Sequence, residues 1–351
     1  MNSLKQNQYT VGSLFAGIGG FCRAFKNEGF NVVWANEIDS YAAQTYRHNY
    51  PETRMIEKSV EDLSVQADKL EPVDVLTAGF PCQSFSLAGN KLGFKDPRGK
   101  LFFEIIRLLK EFGEQKPKIL VLENVKNLIY HDDRKTINTI EEELKRAGYW
   151  FRIPLDHKGN LITQRSNAVV LNTKEHTDIP QNRERLYMVA FSQQYFKMNT
   201  FKFPQEVDQL NDVRAYLDIK EKADEEYYFD EKSKYGKMFA DKMAEGSETS
   251  VYLLRRAYVR ENKSASTFTL TANMGEGGHN VPVIKDSWGI RKLTPKECAR
   301  LQGFRDTFFS FPYDMPKGKQ YKQVGNAVTV DLVQKLAAEC KRNLNEQGER
   351  L

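Results

Sequence analysis

Short β-rich runs alternate with helical patterns through the first 150 residues, and that alternation restricts the fold more than any other feature of the chain. The runs lie at residues 11–15, 31–35, 73–78 and 118–122. Helical patterns follow at 21–28, 41–48 and 100–112, where Leu101, Ile105, Leu108, Leu109 and Phe112 recur at helical spacing. Another helix over 135–147 stops at Gly148, an ordinary C-terminal signal. Strands that run parallel need crossovers, and helices supply them. The expected fold class is therefore α/β: a mostly parallel sheet covered by helices on both faces. Such sheets hold ligands beyond the carboxyl ends of their strands.

After about residue 193 the rhythm stops. Residues 194–290 read as a smaller, irregular domain, with an acidic cluster (Glu221, Asp224, Glu225, Glu226, Asp230, Glu231) and then a basic one (Arg255, Arg256, Arg260, Lys263). A glycine-rich turn follows at 275–278. Regular patterning returns at 293–302 and 328–344, so residues 291–351 are expected to complete the domain begun by residues 1–193.

Composition excludes some functions and leaves others open. No run approaches the roughly 18 apolar residues of a membrane span, and the N-terminal residues lack a signal-like apolar region. A cytoplasmic protein is expected. Cys22, Cys82, Cys298 and Cys340 lie far apart without a CxxC pair, which argues against a disulfide framework and a zinc site. A net charge of +5 permits a polyanionic partner without requiring one.

The chemically suggestive segments all fall at strand ends. The first strand runs into Phe15-Ala16-Gly17-Ile18-Gly19-Gly20-Phe21, where glycines let backbone approach a cofactor at a helix N-terminus. Cys22 stands where a dinucleotide fingerprint needs glycine, and no Gly-Lys-Ser/Thr ending marks a phosphate loop. Glu37, 20 residues after Gly17, can accept both hydroxyls of a ribose, so the pocket suits a nucleoside better than a pyrophosphate. A tight turn with an unrelated glutamate fits the same residues.

The third strand leads into Gly79-Phe80-Pro81-Cys82-Gln83. Cys82 is either a buried filler or a nucleophile. A zinc deaminase is excluded, since position 85 is Phe85 and no His-x-Glu occurs. The fourth strand ends in Glu123-Asn124-Val125. A parallel neighbour brings Glu123 to the edge that carries Cys82, and partial desolvation favours its protonated, donating form. Arg183 and Arg185, in Gln181-Asn182-Arg183-Glu184-Arg185, share one face of an extended strand and suit carbonyl or phosphate oxygens. A solvated charged edge is the alternative.

In this order and spacing, these segments resemble the bacterial-type DNA (cytosine-5)-methyltransferases. Arg291-Lys292-Leu293-Thr294-Pro295, Arg300-Leu301-Gln302-Gly303-Phe304 and Gly325-Asn326-Ala327-Val328 extend the match over residues 13–330. The resemblance implies an S-adenosylmethionine-dependent methyltransferase (Rossmann-like) sheet, with residues 194–290 as a target-recognition domain. It implies Cys82 as nucleophile, Glu123 as acid, Arg185 on the cytosine carbonyl, and Arg183 bracing the catalytic loop or a phosphate. S-adenosyl-L-methionine, leaving as S-adenosyl-L-homocysteine, would lie against Phe15, Ala16, Gly17, Ile18, Gly19, Gly20, Ile38, Pro81, Asn326 and Ala327, with Glu37 on its ribose. Double-stranded DNA would meet Gln83, Ser86 and Arg98 in a mobile loop over 83–100, together with Arg255, Arg256, Arg260, Lys263 and Thr269. A monomer is implied, with a restriction endonuclease of the same site as the natural companion. Ser59 stands where the family usually has an aspartate near the adenine, with Asp62 as a substitute, and Asp178 stands where a glycine is common. Residues 151–168 look like an added surface loop. A transfer-RNA methyltransferase of the same family is the rival reading. A non-catalytic relative is expected to lose Cys82 or Glu123, and a dehydrogenase lacks its glycine at position 22.

Overall fold

A computed structural model describes residues 8–81, 100–154, 156, 161–162, 166–208, 211–247, 249–255, 257–276 and 280–348. Among these residues, eight strands form one sheet: β1 (Thr10–Leu14), β2 (Asn31–Glu37), β3 (Arg54–Glu57), β4 (Val75–Gly79), β5 (Ile119–Val125), β6 (Tyr149–Trp150), β7 (Ala168–Asn172) and β8 (Glu184–Ser192). The order is β3-β2-β1-β4-β5-β8-β6, with β7 also paired to β8. The first five strands are mutually parallel, and β8 runs antiparallel to β5. The expected α/β class is the observed one.

Side-chain alternation explains why the strands read as continuous apolar runs. In β5, Ile119 and Val121 enter one core while Leu120 and Leu122 enter another. In β8, Tyr187, Val189 and Phe191 share the first core, and Leu186, Met188 and Ala190 the second. Helices α1 (Gly20–Asn27) and α9 (Val330–Gly348) supply the first core; α3 (Lys100–Phe112) and α4 (Lys135–Arg146) supply the second. Helix α2 (Ser40–Asn49) starts where Asp39 caps the amides of Tyr41 and Ala42. The short helix α5 (Thr173–His176) follows β7.

Residues 194–290 hold more regular structure than their sequence suggests. Four antiparallel strands, β9 (Val251–Arg255), β10 (Tyr258–Asn262), β11 (Val283–Lys285) and β12 (Ile290–Lys292), line up as β10-β9-β11-β12. Helix α6 (Lys234–Ala244) covers one face, where Phe239 packs with Tyr252, Val283 and Ile290. The other face belongs to the main core, through Val251, Leu253 and Ile284. The expected border at 290/291 falls inside β12, and Phe196 and Phe201 pack on Phe191 of the large sheet.

The chain then returns through α7 (Pro295–Arg300) and α8 (Lys317–Asn326). Helix α7 opens on a capping box of Thr294 and Glu297 with proline at its start. Arg291 is fully buried and bonds Asp286 (2.6 Å) and both oxygens of Glu297 (2.8 Å each), which ties the small sheet to α7. None of the helices among the described residues is long and apolar enough to cross a membrane.

Candidate active site

Parallel register delivers the expected acid to the expected edge. Gly79, the last residue of β4, pairs with Glu123 of β5. One residue further, Asn124 donates Nδ2 to the carbonyl of Phe80 (3.0 Å), and its Oδ1 accepts the amide of Val125 (2.8 Å). That bridge stitches the two strand ends together just before Pro81, which is exposed. Cys82, Gln83, Ser86 and Arg98 lie outside the described residues, as does Arg256.

Glu123 is 9% exposed, with Oε1 3.1 Å from Nε of Arg185. The contact follows from the antiparallel pairing of β5 and β8. Tyr187 stands opposite Glu123 and Arg185 opposite Val125, so Arg185 and Glu123 are diagonal neighbours on one face. Burial raises the Glu123 carboxyl above its usual range, while Arg185 and then Arg183 pull it back.

Arg183 answers only part of its expectation, since the catalytic loop it would brace lies outside the described residues. It is 3% exposed, too enclosed to meet a phosphate, and its guanidinium serves carbonyls instead. Nη1 donates to Leu270 (2.7 Å), and Nη2 donates to Ala327 (2.7 Å) and Gly325 (3.3 Å). Burial, with Arg185 nearby, lowers its pKa to about 9, so it stays protonated at neutral pH.

The glycine turn forms the second half of the site. Gly17 and Gly19 take left-handed conformations (φ +55° and +88°) that L side chains rarely adopt. Phe15 shares that region at φ 53°, half-buried, while Ile18 lies in the core beneath. Ala16 fixes the turn by donating to the Asn36 carbonyl (2.9 Å). Glu37 sits at the end of β2 and is organised by backbone amides: Oε2 accepts Gly17 (2.8 Å), and Oε1 accepts Ile38 (2.8 Å) and Asp39 (2.9 Å). Such a carboxylate keeps a lone pair on Oε2 for a ribose hydroxyl. A side chain added at Gly17 would meet nothing within 4 Å, and Ile38, 67% exposed, offers an apolar surface beside it. These residues fit a nucleoside with a ribose and a flat base.

Ser59 lies just beyond β3, half-buried, with Oγ accepting the Glu61 amide (3.3 Å); Asp62 is exposed. The C-terminal segment packs back onto the turn, as Val328 lies against Gly20. Asn326 is exposed at the end of α8, and Ala327 is buried.

The small sheet reaches the same edge. After β10 the chain bridges Thr267 to Gln181, and Thr269 donates to the Asn182 carbonyl (2.5 Å). Arg260 lies 5.1 Å over the Phe268 ring, and Lys263 is 76% exposed. Arg255 is exposed at the end of β9, further from the edge.

A model of the C-5 cytosine-specific DNA methylase family matches residues 9–342. The chain belongs to that family. As a C-5 cytosine-specific DNA methylase it transfers a methyl group to carbon 5 of cytosine in DNA, and the family's methyl donor is S-adenosylmethionine. The Type II methyltransferase M.Bsp6I of a Bacillus species is 40% identical over 331 residues, covering 93% of this chain and 96% of that protein. M.NlaX of Neisseria lactamica is 35% identical, with 97% and 99% covered. M.HhaI of Haemophilus parahaemolyticus is 32% identical, with 95% and 94% covered. A mutant of Spodoptera frugiperda DNMT2 matches with a TM-score of 0.71 at 20% identity, over 95% of this chain and 100% of that one. S. pombe Dnmt2 gives 0.68 at 19% identity, over 97% and 100%. At such identities the likeness bears on the fold alone.

Several residues beside the candidate site are absent from the sequence expectations. Asn124 had a signal, since it follows Glu123 directly. Asn36, which bonds the carbonyls of Ile56 (3.1 Å) and Lys58 (2.7 Å), and Lys322, 3.4 Å from Asp39 across the cofactor side, had none.

Proposed function

We propose that this methylase modifies a cytosine flipped out of double-stranded DNA at a specific sequence, through a covalent adduct with Cys82. The single observation that carries this reading is the pairing of buried Glu123 with half-buried Arg185 at the carboxyl edge, one strand from Pro81. Carbon 5 of cytosine is a poor nucleophile. Addition of the Cys82 thiolate to carbon 6 forms a carbon–sulfur bond and pushes the ring electrons toward carbon 5 and nitrogen 3. Glu123 delivers its proton to nitrogen 3, and burial keeps that proton available. Arg185 holds the ring carbonyl oxygen with the donors that Glu123 does not use. S-adenosylmethionine, when bound, would supply the methyl group as a sulfonium electrophile to carbon 5, its sulfur–methyl bond breaking as S-adenosylhomocysteine leaves. A base then takes the carbon-5 proton, the electron pair restores the ring, and Cys82 leaves as thiolate while nitrogen 3 returns its proton.

The cofactor is held by Glu37 on the ribose, by Ile38 against the base, and by the turn of Phe15, Gly17 and Gly19, with Asn326 at its open side. Flipping exposes the cytosine face at a cost of a few kcal/mol. Arg260, Lys263 and Thr269 meet the DNA, with Arg255 reaching a more distant phosphate. The protein acts beside a restriction endonuclease of the same site, as the Type II names of its relatives suggest.

Transfer of labelled methyl to duplex DNA and to transfer RNA, followed by bisulfite sequencing of the DNA, tests substrate and site together. Transfer to the RNA alone would overturn the reading. Cys82→Ala is expected to abolish transfer while S-adenosylhomocysteine binding persists. Wild-type enzyme is expected to become trapped on its site when the target is 5-fluorocytosine, because fluorine cannot leave as a cation.

A further inference from the structure

Arg183 touches the two segments that the proposed function assigns to different ligands. One terminal nitrogen holds the carbonyl of Leu270, beside the DNA-side residue Thr269; the other holds the carbonyls of Gly325 and Ala327, which flank Asn326 on the cofactor side. Gln181 reinforces the first tie: its Oε1 accepts the Leu270 amide (3.1 Å), and its Nε2 bonds Leu301 (2.6 Å) and Gln302 (3.1 Å). Gln302 reinforces the second, donating to the carbonyls of Val324 (2.9 Å) and Ala327 (3.1 Å). All three side chains are buried.

Close backbone packing points the same way. A Cβ at Gly325 would stand 2.1 Å from the Thr271 carbonyl carbon, and one at Gly275 would stand 2.3 Å from the Gly318 carbonyl oxygen. Residues 271–275 therefore lie flat on α8 and cannot shift without it. Just past Gly325, at its C-terminal end, the same helix leads into Val328, packed on Gly20 of the glycine turn.

We propose that Arg183 is a positioning residue that couples cofactor binding to DNA binding. This inference rests on the assignment of cofactor and DNA to these two segments. A cofactor seated against Asn326 and Ala327 favours one placement of α8, and Arg183 imposes that placement on Thr269 and Leu270. A ligand shifts such an equilibrium only through unequal affinity for the two placements, and the coupling is reciprocal. DNA must tighten the cofactor by the same factor by which the cofactor tightens DNA.

The experiment measures the dissociation constant of S-adenosylhomocysteine on the full chain, with and without a duplex bearing the methylated site. The wild type is expected to show a ratio of about tenfold, within the usual range for coupled sites. Arg183→Lys keeps the positive charge near Glu123 but lacks the planar fork that spans both segments. Its ratio is expected to fall to within about twofold of unity, and Arg183→Ala should do the same. A folded Arg183→Lys variant with the wild-type ratio would overturn the proposal. So would a ratio of unity in the wild type, even where methyl transfer proceeds normally. Failure of S-adenosylhomocysteine to bind at all would instead count against the cofactor assignment. If the variants do not fold, hydrogen exchange of wild-type protein gives the answer: S-adenosylhomocysteine alone should slow the Leu270 amide severalfold, and an unchanged rate would overturn the coupling.

Discussion

The large sheet and the small sheet are anchored by different forces. Strands β4, β5 and β8 are buried on both faces, and alternate side chains feed two separate apolar cores. The small sheet gives one face to the main core and covers the other with α6, over a cluster of Phe239, Tyr252, Val283 and Ile290. Its remaining attachments include the buried trio of Arg291, Asp286 and Glu297, the bridge of Thr267 to Gln181, the bonds made to Leu270 and the close packing of residues 271–275 on α8. Apolar burial on two faces fixes the strand end that carries Glu123. The small sheet shares one face with the main core and closes the other over a four-residue cluster, so the proposed DNA-facing surface rests on less apolar burial.

The sharpest way to probe the first region is Glu123→Gln. The protonated acid exists below its raised pKa and is lost as the pH climbs through it. Wild-type kcat is therefore expected to fall on the alkaline side of that pKa. The variant should lose about 10²–10⁴ in kcat and should flatten that limb, having no proton there to lose. A full pH–rate profile at saturating DNA checks both. An unchanged alkaline limb would mean that another group titrates.

Arg291→Met is the corresponding probe of the second region. It leaves Asp286 and Glu297 buried without their cation, and such a break costs about 3–5 kcal/mol. Urea denaturation should show that loss. If the two regions are held as differently as described, the small sheet should lose hydrogen-exchange protection before β4 and β5 do. Uniform loss would show one cooperative unit.

Arg260→Ala carries the smallest expected effect. Losing one phosphate contact should weaken DNA binding and lower the slope of log affinity against log salt by about 1, with the change seen in KM more than kcat. Titrations across several salt concentrations decide it, and an unaltered slope would remove Arg260 from the interface.

The contrast between the sheets also decides what could be read from sequence. Strands β1, β2, β4 and β5 announce themselves because two-sided burial makes them continuous apolar runs, and the Glu123 edge follows from parallel order. Strands β11 and β12 hide because they are three residues long, and β10 hides because Tyr258, Arg260 and Glu261 put an aromatic ring and charges into an edge strand. Strand β6 has two residues, and β7 begins at the last residue of the 151–168 stretch that reads as an added loop. Arg183 lies just before β8, and the carbonyls it holds cannot be read from its neighbours in sequence. Its bonds reach carbonyls 87 and 144 residues away, and no local pattern encodes them.

The packing of Val328 on Gly20 has a consequence for the life of the chain on the ribosome. The glycine turn is made early, but its facing wall is made late, and the bond from Lys341 to the Glu28 carbonyl that holds α9 on α1 spans 313 residues. At about 5–20 residues per second, roughly 15–60 seconds separate the two halves of the pocket. A nascent chain thus carries an open turn with no wall, and the proposed cofactor pocket can close only once residues 328–341 are made.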